Sequence, residues 1–390
     1  TPHDCAHFQY EHISRLPFLE KETVRRNPLA LISSAAHPRR LHRTQTSGTT
    51  ATPLTVSLSL ESQRTLTAVW EARGRRWAGV HHGMSRAMFG GRRVVPLAQS
   101  PPPFWRFNWA ERQIYLSAWH VSPENACHYV GALDRFNPDY LVGYGSSYFL
   151  LAQIMRQQNL KLTRRPLALL TSGDMLTAEM RTTLEAVYGC PVFDSYGSAE
   201  ACCLASECEF HRMHVSPDVG VIEVVGADGR PVADGEAGEI VATGLLNRAQ
   251  PLMRYRIGDW GRLVHDACPC GRRMPVLEEL GGRLQDTLVT PDGRLIRRAE
   301  GLVLGVDTVR EGQIVQEQVD GFCVRVVTDG SFGEDERAVI YARCRERLGD
   351  VNVRFEIVDR IERTSGGKFR SVISNIRTTS EDMAEDARAV

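Results

Sequence analysis

The sequence predicts an α/β protein. We expect a large N-terminal domain, with a parallel sheet, crossover helices and a β-rich subdomain, followed by a small α+β C-terminal domain. Three observations carry that expectation. Apolar strand-like runs alternate with helix-spaced segments between Pro138 and Glu200. From about His214, β-type runs are broken by Gly, Asp and Pro at hairpin spacing. Beyond residue 284, strand and helix patterns continue for about 100 residues, enough for a domain of its own.

In chain order, residues 1–45 are polar and Arg-rich, and read as helices and loops. "PDYLVGYG" is a strand ending in glycines, and "SSYFLLAQIMRQQ" has helical spacing. "PLALLTSGD" and "LTAEMRTTLEAVYG" repeat the pair, and "PVFDSYGSAE" opens a third strand. Ligands of such sheets sit at the carboxyl ends of the strands, here TSGD and SYGSAE. "VGVIEVVGADGRPVADGEAGEIVATGLL" predicts an antiparallel sheet or small barrel. Next, "LVTPDGRLI" reads as a hairpin and "QIVQEQVDGFCVRVVTDG" as two strands; "EDERAVIYARCRERLG" is a helix and "VNVRFEIVDRI" a strand. The expected domains are 1–284 and 285–390, with the β-rich segment at about 208–275.

Bulk properties narrow the function. The 390 residues carry zero formal net charge, with 42% hydrophobic and 24% charged residues. A nucleic-acid or membrane-surface partner held by bulk charge is not expected. No apolar run approaches the ~18–20 residues of a membrane span. The N-terminus lacks the charged start and apolar stretch of a signal peptide. Ten cysteines in so long a chain suit a reducing cytoplasm, with some thiols free for metal.

Two constellations suggest chemistry. "TSGTTATPL" groups Thr46, Ser47, Gly48, Thr49 and Thr50 in a loop rich in N–H and O–H donors, which suits phosphate oxygens. It is not a Walker A loop, because GxxxxGK[ST] is absent from the chain. Cys208 and His214 can join Cys268 and Cys270 around a tetrahedral structural Zn²⁺, with His211 as a substitute ligand. Cys202 and Cys203 read as packing. A further oddity is compositional: of 47 Lys+Arg, only Lys21, Lys161 and Lys368 are lysines, and Lys368 stands in the Gly-rich "TSGGKFR".

"TSGTTATP", "SYGSAE", "YRIGD", "GGRLQD" and "TSGGKFR" follow the order found in adenylate-forming ligases. The chain resembles their phenylacetate–CoA ligase branch, which includes capsule-biosynthesis relatives. The resemblance implies a two-step reaction with ATP and Mg²⁺. A carboxylic acid, here aryl or otherwise apolar, becomes an acyl-adenylate with release of pyrophosphate, and the acyl group then passes to a thiol, coenzyme A. It further implies that the small C-terminal domain is mobile, that Gly173, Asp174, Ser195, Tyr196, Gly197 and Ser198 contact the nucleotide, with Tyr196 against adenine, and that Glu200 holds Mg²⁺. Asp259 would hold the ribose hydroxyls, Arg283 would contact ribose or phosphate, and Gln285 and Asp286 would form a hinge. Lys368 would enter for adenylation alone, an ammonium that a planar guanidinium does not freely replace. Phe104, Trp105, Trp119, His120 and Tyr144 fall near the family's acid pocket. Alternative outcomes are transfer to an amine, a hydroxyl or a carrier-protein thiol, and a catalytically silent nucleotide-binding relative. The last draws on Ala51 and Thr52, which stand where the family usually has glycine and often lysine.

Overall fold

The first two strands form a hairpin on either side of the hydroxyl-rich segment. Leu41–Gln45 (β1) pairs antiparallel with Thr55–Ser59 (β2), from Leu41 opposite Ser59 to Gln45 opposite Thr55. β1 corrects the expectation of helices and loops before residue 45. Its polar sequence carries little strand signal, and β2, with Val56 and Leu58 buried, supplies the template. The computed structural model describes residues 10–37, 40–46, 54–283, 286–296, 299–306, 308–364 and 366–376. The expected site residues Ser47, Gly48, Thr49, Thr50 and Gln285 lie outside these, as do Ala51 and Thr52.

One twelve-stranded sheet organises most of the chain. Its strands are Arg86–Phe89 (β3), Trp105–Asn108 (β4), Gln113–Leu116 (β5), Tyr140–Gly143 (β6), Leu169–Ser172 (β7), Val192–Gly197 (β8), Leu204–Glu207 (β9), Met213–Val215 (β10), Gly220–Val225 (β11), Ala237–Gly244 (β12), Tyr255–Val264 (β13) and Val276–Arg283 (β14). They lie in the order β11-β12-β13-β14-β10-β9-β8-β7-β6-β3-β5-β4. β5, β3, β6, β7 and β8 are parallel neighbours, and the remaining pairings are antiparallel. The β-rich segment is therefore no separate barrel: β9 pairs antiparallel with β8 and carries the same sheet onward.

Residue patterns explain the parallel half. β6 is buried on both faces, as a strand covered by helices on either side must be. Lys21–Arg26 (α1) and Leu60–Trp70 (α2) precede the sheet; Ala126–Phe136 (α3), Gly145–Gln157 (α4) and Ala178–Tyr188 (α5) run within it. α5 starts at Thr177, whose hydroxyl accepts from the Met180 N–H at 3.1 Å, and ends at Gly189 with φ 67°. Tyr129, Tyr148, Phe89 and Leu151 fill the core between these helices and the sheet.

Past residue 286 comes the hairpin of Leu288–Val289 (β15) and Leu295–Ile296 (β16). A second sheet follows, built from Val309–Gln318 (β17), Gly321–Thr328 (β18), Asn352–Ile357 (β19) and Val372–Ser374 (β20), ordered β19-β18-β17-β20. Glu334–Leu348 (α6) covers it, burying Ile340, Cys344 and Leu348 against Val324 and Val326. Among the described residues no helix is long and apolar enough to cross a membrane.

Candidate active site

Parallel strands deliver their carboxyl ends to one edge, so β6, β7 and β8 bring Tyr144, Gly173–Asp174 and Ser195–Gly197 together. A cavity of about 680 Å³ opens there. It is lined by Gly173, Asp174, Ser195, Tyr196, Gly197, Asp259, Arg283, Asp286 and Lys368, nine of the residues singled out from sequence.

The sheet side of the cavity is tightly paired. The Tyr196 hydroxyl donates to Asp259 Oδ2 at 2.9 Å, and Asp259 faces Arg283 across the β13–β14 ladder. Burial pushes the Asp259 carboxyl up, while the Arg283 charge and the Tyr196 hydrogen bond oppose that rise. Arg256 does not compete for Asp259; it pairs with Glu20 at 3.4 Å and Glu239 at 3.6 Å. Glu200 is 4% exposed, accepts from the Tyr255 hydroxyl at 2.8 Å and lies 3.6 Å from Lys21 Nζ. Ser198 Oγ contacts Cys202 Sγ at 3.2 Å, and Cys202 and Cys203 are buried packing. Thr46 closes the hydroxyl-rich loop at its base: its N–H donates to the Leu54 carbonyl and its Oγ1 accepts from the Leu54 N–H, both at 2.9 Å.

The opposite side is a loop from the second sheet. Thr364 N–H donates to the Lys368 carbonyl at 3.0 Å, and Lys368 N–H donates to Thr364 Oγ1 at 3.1 Å. Gly367 holds φ at 75°, a conformation that favours glycine, so the turn presents Lys368 inward. A Cβ on Gly173 would stand 3.3 Å from Lys368 Nζ. Burial pulls the Lys368 ammonium below its usual range, and the facing Asp174 carboxylate partly restores it. Asp174 itself caps α4, accepting from the N–H groups of Gly145 at 3.0 Å and Ser146 at 2.9 Å. Behind the loop, Arg370 is ion-paired with Asp286.

The aromatic residues divide. Tyr144 donates its hydroxyl to the Gly366 carbonyl at 2.9 Å, and a Cβ on Gly367 would stand 2.8 Å from the Trp119 ring. Both residues thus form the seat of the lysine loop. Phe104 and His120 are not brought to the cavity. Phe104 is fully buried, with its ring stacked on His120 at 5.1 Å and on Tyr129 at 6.0 Å. Trp105 packs against the same core from edge strand β4.

Sequence reasoning missed Lys21 and Tyr255 at Glu200, and a carboxylate pair in the lining of the cavity. In that pair Asp194 accepts from Thr171 Oγ1 at 2.7 Å, and Asp194 N–H donates to Glu207, which Arg181 pairs at 2.6 Å. Enclosure pushes the Asp194 carboxyl up to about 8, with the Glu207 charge adding to the rise. Lysine scarcity was the signal available for Lys21; nothing in sequence spacing marks Asp194.

Cys208, His214, Cys268 and Cys270 gather as expected, with one donor atom from each within 4.8 Å of the others. β10 carries His214, whose Nδ1 faces the Met274 carbonyl at 3.3 Å, leaving Nε2 3.3 Å from Cys270 Sγ. With its Nδ1–H given to that carbonyl, the ring would turn an Nε2 lone pair toward the thiols. His211 stands outside the group, beside Arg181 and Glu207.

Comparison with known proteins follows the same lines. The family model for AMP-binding enzymes matches residues 44–247, and that for the CapK C-terminal domain matches 288–375. Protein CapK of Staphylococcus aureus is 28% identical over 381 residues, covering 94% of this chain and 81% of that protein. A phenylacetate–coenzyme A ligase of Thermus thermophilus is 26% identical over 303 residues, covering 72% of this chain and 62% of that enzyme. Among solved structures, 2-hydroxyisobutyryl-CoA ligase in its postadenylation state superposes with a TM-score of 0.73 at 22% identity, covering 99% of this chain and 87% of that one. In its thioesterification state the same ligase gives 0.55 at 23% identity, covering 95% and 84%.

Proposed function

The chain belongs to the AMP-binding enzyme family, and from that premise we propose that it couples a carboxylic acid to a thiol, coenzyme A, through an acyl-adenylate. It is an adenylate-forming ligase of the phenylacetate–CoA ligase and CapK type. The single observation that carries the mechanism is the arrival of Lys368, from the second sheet, against Gly173–Asp174 at the mouth of the cavity.

The roles follow from chemistry. Tyr196 offers a flat ring to adenine, and Asp259 can accept from both ribose hydroxyls once Tyr196 yields its hydrogen bond. Arg283, alongside, adds positive charge for ribose or phosphate. A carboxylate oxygen of the acid attacks the α-phosphorus, the bond to the bridging oxygen breaks, and pyrophosphate leaves. Lys368 meets the charge that shifts between those oxygens during the step. Glu200 suits Mg²⁺, which takes one or two carboxylates plus phosphate oxygens and would draw charge from the leaving group. Lys21, 3.6 Å from Glu200, offers that carboxylate a positive partner of its own.

Pyrophosphate release from ATP and Mg²⁺, measured across aryl and aliphatic acids, tests the reading. Release should require a particular acid and fall ~10²–10³-fold in Lys368→Ala. Acid-independent release, or release indifferent to Lys368, would overturn it. Product analysis with coenzyme A, amines and a carrier protein then identifies the acceptor.

The Cys208–His214–Cys268–Cys270 group supports a structural Zn²⁺. It would clip the β9–β10 corner to the β13–β14 connection. About one zinc per chain should be found in protein purified without added metal, and Cys268→Ser/Cys270→Ser should lose it. A metal-free wild type sinks that assignment.

A further inference from the structure

The edge of the sheet opposite the cavity carries a patch that the reaction does not use. β5, β3, β6 and β7 begin there, at Gln113, Arg86, Tyr140 and Leu169. Trp109, in the turn before β5, is 74% exposed and stacks on Phe107 at 5.0 Å. Phe107 meets Phe136, the last residue of α3, at 5.6 Å. One turn back on α3, Asp134 ties in the connection between α4 and β7, accepting from Thr163 N–H at 2.8 Å and Thr163 Oγ1 at 3.0 Å. That connection exposes a further apolar side chain, Leu167. Aromatic and apolar groups grouped on a surface in this way mark a contact site more often than scattered ones do.

Charge supplies the second half of the argument. Arg112, Arg135, Lys161 and Arg164 stand exposed around the aromatic group, and among the described residues none of them is ion-paired. The carboxylates of this edge are engaged elsewhere: Glu111 with Arg86, Asp134 with Thr163, and Asp139 with the Ser85 N–H and Oγ, both at 2.8 Å. The edge is thus locally positive in a chain of zero net charge. Its partner should be anionic and should accept apolar rings. A second copy of the chain does not fit, because a two-fold contact would set these cations against themselves. Single-stranded nucleic acid stacks its bases on open ring faces, whereas Phe107 and Trp109 lie on each other. A protein that delivers or collects an acyl group must reach the opposite edge, where the cavity opens. A bilayer asks only for what is present: basic groups for the lipid phosphates and an indole that settles among the headgroups.

We propose that this edge docks on an anionic lipid surface, with Trp109 and Phe107 entering the headgroup layer and Arg112, Arg135, Lys161 and Arg164 meeting lipid phosphates. With no net charge on the chain, nothing draws it to a membrane from afar, and contact depends on this patch at short range. Docked in this way, the carboxyl ends of the parallel strands, and the cavity with them, face the water.

Flotation of the full chain with vesicles of phosphatidylglycerol and phosphatidylcholine tests this, beside vesicles of phosphatidylcholine alone. The wild type should bind the anionic vesicles at least about tenfold more tightly, and added salt should weaken that binding. Lys161→Gln/Arg164→Gln should lose at least about tenfold, as two charges near an anionic surface require. Trp109→Ser, at an exposed position, should lose about fivefold through the apolar area withdrawn. Arg345→Gln/Arg347→Gln removes two exposed arginines from α6 and should bind as the wild type does. No preference for the anionic vesicles, or equal losses in the patch and α6 variants, overturns the proposal. A dimer, seen by light scattering, that Trp109→Ser dissolves would assign the edge to a second copy and overturn it. Binding of single-stranded RNA through the same residues, without vesicle binding, would overturn it as well. Turnover is not the readout, so the result stands or falls apart from the ligase reading.

Discussion

The two walls of the cavity are built differently. One wall is sheet: Ser195–Gly197 end β8, and Asp259 faces Arg283 within the β13–β14 ladder, so backbone hydrogen bonds fix each side chain. The other wall is built by Thr364 and residues 366–370, anchored by Tyr144 and Trp119 and by the Arg370–Asp286 pair at the expected hinge. A sheet-built wall holds a ligand in every state of the molecule. A docked loop contributes when it is seated and can be withdrawn for a second step. Recognition and chemistry should therefore separate under mutation.

The largest expected effect is that separation. Lys368→Ala should cost the ~10²–10³-fold in pyrophosphate release while nucleotide affinity, read by calorimetry, stays within a few-fold. Asp259→Ala should do the reverse, weakening the nucleotide ~10-fold or more through lost hydrogen bonds to a charged group. Equal damage to affinity from both variants would break the comparison. A pH profile sharpens it. Burial lowers the Lys368 ammonium's pKa, so adenylation should decline with rising pH earlier than an ordinary lysine would require. That limb should vanish in the residual activity of Lys368→Ala.

The sheet wall was the legible part of the sequence. Strand-end glycines and acids announce a site because parallel strands must deliver their ends together, and TSGD and SYGSAE did so. The docked wall was legible as a motif but not as contacts. Tyr144 and Gly366 are 222 residues apart, and no periodicity records such a pairing. The same limit explains Phe104 and His120: an aromatic run looks alike whether it lines a cavity or stacks inside a core, and here the rings close on Tyr129. β1 was missed because a polar strand takes its pairing from β2. The Cys/His group was readable because metal-ligand residue types are few, even at irregular spacing.

A smaller effect probes the floor of the sheet wall. The Asp194 carboxyl, pushed up to about 8, carries its proton in the folded state at neutral pH. The unfolded carboxyl ionises near ~4. Between these values the folded protein holds the extra proton, so its stability is full below the lower value and is lost as pH rises toward about 8. Asp194→Asn keeps an acceptor for Thr171 and removes the ionisation. Its stability relative to wild type should therefore improve from pH 5 to pH 8.5, by ~1 kcal/mol or more. Denaturant melts at the two pH values measure this. A constant difference would mean that Arg181 compensates the Asp194–Glu207 pair fully.

The smallest effect tests the seat itself. Tyr144→Phe keeps the ring and deletes the hydroxyl that donates to the Gly366 carbonyl. One neutral hydrogen bond contributes ~1 kcal/mol, so the seating equilibrium constant of the loop should fall ~3–10-fold, and kcat for pyrophosphate release should fall by up to that factor. Because the ring remains, the KM for the acid should hardly move if Tyr144 serves the loop. If Tyr144 instead lines the acid's pocket, as the sequence suggested, KM should change and the ranking of acids should shift, with kcat for the preferred acid largely kept. The two outcomes assign the residue to one wall or the other. A loop that loses its anchor should also leave its seat more readily, so Tyr144→Phe should slow adenylation while leaving the transfer step, measured from preformed acyl-adenylate, undiminished.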